Sequence, residues 1–239
     1  MSEQTELTTG EEQNLSFPQP REVGERIELD DAYIYEPETL DLLHRRFGGK
    51  RVLVVDANGV ICDNPPEGAR LRFNPKAKKA LRTLRARGYE LVLWTTAKKG
   101  MEEPLRRGGF LDLFNLAIFR EHFAHDPLYS LSIANQDIRQ RVESFFRKAV
   151  ESASWLTQEE KDDVLSERQS LVKTPEVLFR EAGVIDDNLY RLPDETRYPF
   201  FVTNEFGGKP KYRRLMKDVP DFSDELLPDI LQRFPPPKV

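Results

Sequence analysis

The protein has 239 residues, of which 38% are hydrophobic and 32% are charged, with a formal net charge of −5. This composition is typical of a globular chain with a full hydrophobic core, and the mild charge carries no evidence for a nucleic-acid partner. No apolar run is long enough to span a bilayer, so we expect no membrane partner; nothing in the sequence indicates an oligomeric state. The single cysteine, Cys62, excludes an internal disulfide and fits a reducing compartment. We therefore expect an intracellular protein, cytoplasmic or, in a eukaryotic cell, nuclear.

The two ends of the chain lack the pattern of a folded element. Residues 1–20 are polar and acidic, with neither a basic leader nor an apolar export segment, and we expect a disordered arm. The proline-rich residues 235–239 are expected to form a disordered tail. Residues 21–234 are predicted to form one domain.

Five short apolar runs, each ending in polar or small residues, recur along this domain. Between the first two, the stretch from Pro75 to Gly88 has helical periodicity, with proline suited to the first turn and glycine to the end. Strands that alternate with helices predict a parallel sheet with right-handed crossovers. The predicted fold class is therefore α/β, a Rossmann-like three-layer sandwich around a central parallel five-stranded sheet. The predicted strands are Val52–Val55, Leu91–Trp94, Leu116–Phe119, Gly183–Ile185 and Phe200–Val202.

Residues 122–172 interrupt this alternation with a helical insertion. Apolar residues between Ile138 and Val150 keep a helical period, and Thr157-Gln-Glu-Glu160 has the form of a capping box that opens a second helix. The insertion either packs on the side of the domain or forms a lid over the site; the sequence leaves both open. Shorter helices are predicted at Glu102–Arg107 and Thr174–Ala182.

Polar residues follow three of the predicted strands. Asp56 follows the first strand, and Thr95 with its neighbour Thr96 follows the second. Asp186-Asp187 follows the fourth, and Lys173 precedes this acidic pair by thirteen residues. The carboxyl ends of parallel strands meet at one edge of a sheet, so these side chains should converge. Clustered carboxylates favour a hard cation such as Mg²⁺, while a lysine and a threonine hydroxyl suit a phosphate group.

Further motifs surround these residues. They are Asp56-Ala-Asn58, Leu91-Val-Leu-Trp-Thr-Thr-Ala97, Phe119-Arg-Glu121, Val184-Ile-Asp-Asp-Asn-Leu-Tyr-Arg-Leu192 and Phe222-Ser-Asp-Glu-Leu-Leu-Pro228. The set resembles the motifs of the haloacid dehalogenase (HAD) superfamily, and within it those of the FCP/SCP-like, NLI-interacting-factor-like phosphatases. The likeness covers roughly residues 50–121 and 171–233 and skips the helical insertion.

The resemblance implies a catalytic role for several residues. Asp56 would attack phosphorus as the nucleophile and form an aspartyl-phosphate. Thr95 would bind the transferring phosphoryl group, and Lys173 would offset its charge. The residues predicted to contact the substrate beyond the phosphoryl group are Thr96, Lys98 and Lys99.

The resemblance also implies a magnesium site. Asp56, Asp187 and the backbone carbonyl of Asn58 would ligate Mg²⁺. Asp186 is a further candidate at this site, where it would steady Lys173 or a metal-bound water.

Asn58 departs from the first motif of the family, Asp-x-Asp-x-Thr/Val, which has its general acid/base at this position. An amide cannot donate and recover a proton at neutral pH, and acid–base assistance contributes about 10²–10⁴-fold. The resemblance together with Asn58 therefore implies a Mg²⁺-dependent phosphatase with reduced activity, acting on a phosphorylated small molecule or protein. Two alternatives are a catalytically silent binding or scaffold protein and a dehalogenase-type hydrolase, because Asp-Ala-Asn-Gly also resembles the Asp-Ala-Tyr-Gly of the dehalogenase branch.

Overall fold

The computed structural model describes residues 19–63, 70–123, 136–167, 173–187, 198–203, 206, 219 and 222–237. Strands and helices alternate along these ranges. The strands are β1 (Arg21–Val23), β2 (Arg26–Glu28), β3 (Arg51–Val55), β4 (Glu90–Trp94), β5 (Leu116–Ile118), β6 (Glu181–Asp186) and β7 (Phe200–Val202). The helices are α1 (Pro37–Phe47), α2 (Pro75–Ala86), α3 (Glu102–Arg107), α4 (Arg120–Phe123), α5 (Gln136–Ser152), α6 (Gln158–Glu167), α7 (Pro175–Leu178) and α8 (Leu227–Arg233).

The strands form one seven-stranded sheet in the order β1-β2-β5-β4-β3-β6-β7. The five predicted strands are β3 to β7, and they pair in parallel, which confirms the predicted α/β sheet. Among these five strands the order starts at the central β3, moves outward on one side to β5, and then fills the other side, as in doubly wound folds. The β1–β2 hairpin, which the sequence analysis does not predict, extends the sheet because β2 pairs in parallel with β5.

The central strands are buried on both faces, as their unbroken apolar sequences predict. On β3, Val52 and Val54 belong to one core layer together with side chains of α1 and α5. Leu53 and Val55 belong to the opposite layer, with side chains of α2 and α8. This division follows from the two-residue period of a strand and produces the three-layer sandwich.

Helix α2 begins where the sequence predicts. Pro75 lies in its first turn, and the Asn74 side chain accepts hydrogen bonds from the backbone N–H groups of Lys76 (3.1 Å) and Ala77 (3.3 Å). Gly88, just after the helix, has a φ of +85°, in the left-handed region that favours glycine. The chain then turns directly into β4.

The helix predicted at Thr174–Ala182 is wrong in length. Helix α7 ends at Leu178, Phe179 is extended, and β6 already begins at Glu181. The first two residues of β6 pair in register with the first two residues of β3. Pairing with the central strand therefore decides the conformation of residues whose local pattern also suits a helix.

The helical insertion contains α5 and α6, as predicted. The capping box is confirmed, because Thr157 Oγ1 accepts from the Glu160 N–H (3.3 Å) and the Glu160 carboxylate accepts from the Thr157 N–H (2.6 Å). Phe146 and Val150 of α5 are buried in the core layer shared with α1. The described part of the insertion thus packs on one face of the domain, while residues 124–135 and 168–172 lie outside the described ranges.

The predicted arm and tail are described only in part. Residues 1–18 lie outside the description, and β1 begins at Arg21. At the other end, the Pro235 carbonyl accepts a hydrogen bond from the Arg51 guanidinium, and Pro237 lies beside Gly88, whereas residues 238–239 are again outside it. None of the helices described above combines the length and apolarity needed to cross a membrane.

Candidate active site

The candidate site lies at the carboxyl edge of the sheet, beside the end of β3. Because β4 and β6 lie on opposite sides of β3, the connections diverge there and leave a crevice, the usual ligand position of doubly wound sheets. Asp56 directly follows β3, and its backbone N–H donates to the Ile185 carbonyl of β6 (3.0 Å). Thr95 directly follows β4, and Asp186 is the last residue of β6. Three predicted site residues thus stand at the ends of three adjacent strands.

A buried lysine joins two of these strand ends. The Lys173 ammonium donates to Asp56 Oδ1 (2.7 Å) and to Asp186 Oδ2 (2.6 Å). The exposed fraction is 4% for the Lys173 side chain, 10% for Asp56 and 3% for Asp186. Two carboxylates this close would repel each other, and the ammonium between them reduces this repulsion.

The protonation states follow from burial and from these ion pairs. Burial raises the pKa of Asp56 from its ordinary 3.8 to about 6, and the attraction of Lys173 opposes this rise. Burial also works against the charge of Lys173, but the two carboxylates outweigh it, and the pKa of Lys173 lies above its ordinary value of 10.5. At neutral pH the site therefore holds an ammonium ion and an ionised Asp56.

Asp187 completes a group of three carboxylates. One oxygen from each of Asp56, Asp186 and Asp187 lies within 4.8 Å of the others. Octahedral Mg²⁺, with bonds of about 2.1 Å, places its oxygen ligands about 3–4 Å apart, so these hard oxygen donors fit the ion with small side-chain adjustments. Gly59 has a φ of +78°, and a Cβ added there would lie 2.0 Å from Asp187 Oδ2. Glycine in the first motif therefore lets the Asp187 carboxylate approach the backbone.

Asn58 is half-buried in the loop after β3. The Cys62 thiol lies 3.7 Å from Asn58 Oδ1 and donates to the Ala57 carbonyl (3.3 Å), and the Gly59 N–H donates to the Cys62 carbonyl (2.7 Å). Burial, reinforced by nearby carboxylates, raises the pKa of the Cys62 thiol well above its usual range. The thiol is therefore a protonated, structural group rather than a nucleophile.

The residues after β4 differ in their exposure and in their hydrogen-bond partners. Thr95 is fully buried, and its hydroxyl accepts a hydrogen bond from the Ala97 N–H (3.2 Å). Thr96 and Lys98 are exposed. The Lys99 ammonium donates to the Asp30 carbonyl (2.6 Å) and to the Asp31 carboxylate (3.0 Å). The structure thus brings Asp56, Asn58, Thr95, Lys173, Asp186 and Asp187 to one edge of the sheet, whereas the ammonium of Lys99 is bound to the segment after β2.

Three contacts around the site involve Tyr35, Thr174 and His122, which the sequence analysis does not place there. A hydrogen bond of 2.6 Å joins the hydroxyls of Tyr35 and Thr174, which follows Lys173. His122 Nδ1 accepts from a backbone N–H just after β5 (3.1 Å), so Nε2 carries the proton and donates to the Asp30 carbonyl (2.9 Å). The short apolar run Ala32-Tyr-Ile-Tyr35 is the sequence signal that would have indicated a buried segment here.

Comparisons with known proteins give distant similarities. No family model matches the chain, and no curated protein matches its sequence. An uncharacterized protein from Listeria monocytogenes serotype 4b is 10% identical, with a TM-score of 0.39 over 76% of this chain and 97% of that one. A provisionally assigned beta-phosphoglucomutase from Thermotoga maritima is 12% identical, with a TM-score of 0.40 over 77% and 99%. A provisionally assigned 3-deoxy-D-manno-octulosonate 8-phosphate phosphatase from Vibrio cholerae is 14% identical, with a TM-score of 0.28 over 64% and 63%.

Every one of these TM-scores is below 0.5, so the class of protein is defined by the strand order and the site themselves. The chain is a doubly wound α/β protein with a lysine–carboxylate site at the point where the strand order reverses.

Proposed function

We propose that the protein is a Mg²⁺-dependent phosphatase of the haloacid dehalogenase type, which hydrolyses phosphomonoesters slowly through an aspartyl-phosphate. The observation that carries this proposal is the buried Lys173 ammonium, which bridges Asp56 and Asp186 at the carboxyl edge of the sheet. The ammonium offsets part of the carboxylate charge, and together with a bound Mg²⁺ it would allow an anionic substrate to approach a carboxylate nucleophile.

The first chemical step belongs to Asp56. Its carboxylate oxygen forms a bond to phosphorus while the bond from phosphorus to the leaving oxygen breaks, so the phosphoryl group passes to the protein. Lys173 stays charged throughout and offsets negative charge on the phosphoryl oxygens. The Thr95 hydroxyl, which accepts from the Ala97 N–H (3.2 Å), still has its own proton to donate to the phosphoryl group.

The second step is hydrolysis of the aspartyl-phosphate, and here Asn58 limits the rate. The leaving oxygen of the first step needs a proton, and the attacking water of the second must lose one. The amide of Asn58 does neither at neutral pH, so both protons are exchanged with solvent, and about 10²–10⁴-fold of acid–base assistance is missing.

Asp56, Asp187 and the backbone carbonyl of Asn58 would hold Mg²⁺, with Asp186 beside them. When bound, the ion would supply positive charge that offsets the charge of the carboxylates and the phosphoryl group.

The substrate is a phosphomonoester of a small molecule or of a protein. The resemblance to the FCP/SCP-like phosphatases favours a phosphoprotein, and the exposed Thr96 and Lys98 are the residues after β4 that are accessible to such a partner. Lys99 would contact a substrate only after it releases the Asp30 carbonyl and the Asp31 carboxylate.

The test compares wild type, Asn58→Asp and Asp56→Asn on glycerol phosphate and p-nitrophenyl phosphate with and without Mg²⁺. We expect slow, Mg²⁺-dependent turnover by wild type and a turnover rate about 10²–10⁴-fold higher for Asn58→Asp. Asp56→Asn, which lacks the nucleophile, should show no turnover. An increase of less than about threefold for Asn58→Asp on both substrates would contradict the role given to the amide. Absence of turnover by both wild type and Asn58→Asp would contradict the phosphatase assignment.

A catalytically silent binding protein is the second candidate, and the amide at Asn58 is the observation that favours it. The two proposals differ in whether Asp56 accepts a phosphoryl group. Fluorine NMR of wild type with beryllofluoride and Mg²⁺ should show a covalent-like adduct that Asp56→Asn lacks; its absence from wild type would favour the silent protein.

A further inference from the structure

The segment between β2 and α1 follows the carboxyl end of β2 and is buried over most of its length. Its residues from Ala32 to Tyr35 are each at most 3% exposed. Because β2 is parallel to β5, this segment leaves the sheet at the same edge at which Asp56 and Asp186 stand. We call residues 29–36 the N-terminal segment.

The N-terminal segment is bonded to the loops that follow two neighbouring strands. The Asp30 carbonyl accepts from the Lys99 ammonium (2.6 Å), which belongs to the loop after β4, and from His122 Nε2 (2.9 Å), which lies after β5. The backbone N–H of Ile34 donates to the His122 carbonyl (2.9 Å). These bonds fix the path of the segment before it reaches Tyr35.

Tyr35 connects this segment to the residue next to the bridging lysine. The hydrogen bond between the Tyr35 and Thr174 hydroxyls is 2.6 Å long, and both residues are at most 3% exposed. Edge-to-face contacts with Tyr33 (ring centroids 5.5 Å apart) and Phe146 (4.9 Å) hold the Tyr35 ring in place. A short, buried bond between two immobile groups is a rigid attachment point.

Among the residues that the structure describes, the regular element next to Lys173 is a short helix on its carboxyl side. Lys173 lies two residues before α7, a helix of four residues, and its ammonium must meet two carboxylates at 2.7 Å and 2.6 Å at once. We infer that Tyr35 is a positioning residue: its bond to Thr174 sets the backbone from which Lys173 reaches Asp56 and Asp186. The N-terminal segment is then part of the catalytic unit, an extension that rests on the proposed function.

Two isosteric variants test the bond, and one serves as a matched control. Tyr35→Phe and Thr174→Val each remove one hydroxyl with little change of shape. Tyr89→Phe removes another buried tyrosine hydroxyl, which donates to the Phe234 carbonyl next to the start of β4, at the opposite edge of the sheet. A general loss of stability would affect all three variants, whereas a positioning role affects only the first two.

The primary measurement is the side-chain ¹⁵N–¹H NMR signal of the Lys173 ammonium, assigned by its loss in Lys173→Met. We expect a slowly exchanging signal in wild type and Tyr89→Phe, and a shifted, faster-exchanging signal in Tyr35→Phe and Thr174→Val, with the double variant no worse than either single one. The proposal is overturned if the Lys173 ammonium signal is unchanged in both Tyr35→Phe and Thr174→Val, or if it changes in the same way in Tyr89→Phe. It is also overturned if wild type shows no slowly exchanging Lys173 ammonium signal. If Tyr35→Phe does not fold, Thr174→Val alone decides.

The functional measurement is beryllofluoride affinity in the presence of Mg²⁺. We expect Tyr35→Phe and Thr174→Val to weaken it about tenfold through misplacement of Lys173, and Tyr89→Phe to leave it unchanged. If wild type binds no beryllofluoride while the ammonium signal responds as expected, the proposed function fails and the positioning role of Tyr35 stands.

Discussion

The lysine that bridges two acidic strand ends allows a physical test of the site that does not depend on activity. Lys173→Met keeps most of the side-chain length and removes the charge. Coulomb attraction at the 2.7 Å separation from Asp56 Oδ1 is about 6 kcal/mol for an effective dielectric constant of about 20, and the cost of burying the charges offsets much of it. Removal of one partner of a buried ion pair costs about 3–5 kcal/mol, because the remaining charge has no compensation. We expect Lys173→Met to lower the free energy of unfolding by this amount at about pH 8 without Mg²⁺.

The loss of stability in Lys173→Met should depend on pH, and the direction of this dependence follows from the pKa of Asp56. The pKa of Asp56 in the folded protein, about 6, is raised above the ordinary 3.8, so its contribution to stability is present at low pH and is lost as the pH rises through about 6. Without the lysine this pKa rises further. At about pH 5 the variant therefore takes up a proton between its carboxylates, and its deficit against wild type should shrink.

Urea unfolding followed by tryptophan fluorescence, at about pH 5 and about pH 8 in chelator, measures both effects. Lys79→Met is the matched control, because Lys79 pairs with Asp224 at the surface with its side chain 76% exposed. The control should change stability by less than about 1 kcal/mol. The reasoning is refuted if, at the higher pH, Lys173→Met lowers the free energy of unfolding by no more than Lys79→Met does. It is also refuted if the loss of stability in Lys173→Met is the same at both pH values.

Three further results are expected. Gly59→Ala should lose Mg²⁺ affinity in calorimetry, because its Cβ would lie 2.0 Å from Asp187 Oδ2; Gly49→Ala, with a similar φ of +71° but nothing within 4 Å, should keep it. Burial lowers the pKa of His122 below its ordinary 6.5, so its contribution to stability is lost as the pH falls below about 6.5, by at most about 1.4 kcal/mol per pH unit. His122→Gln should show a weaker acid dependence in urea unfolding than wild type, and an equal dependence would contradict this role. Phe146→Ala should cost about 3–5 kcal/mol in the same assay because Phe146 is buried in the core layer, and a loss below about 1 kcal/mol would contradict this.

Local patterns in the sequence determined the strands β3 to β7, the helix α2 and the capping box. A run such as Val52–Val55 is apolar because both faces of a central strand are buried, and a cap such as Asn74 acts on N–H groups two and three residues away. The positions of Asp56, Thr95 and Asp186-Asp187 after predicted strands were enough to place them at one edge of the sheet, since parallel strands share one carboxyl edge.

Only the tertiary structure determined which of these side chains contact one another. Lys173 and Asp56 are 117 residues apart, and only the sheet order and the burial of the lysine bring its ammonium between two carboxylates. The position of Glu181 in β6 rather than in a helix, the attachment of Lys99 to Asp30 and the bond from Tyr35 to Thr174 are likewise long-range choices. These three arrangements have the same physical cause. Each local sequence allows more than one conformation, and burial against a distant segment selects one of them.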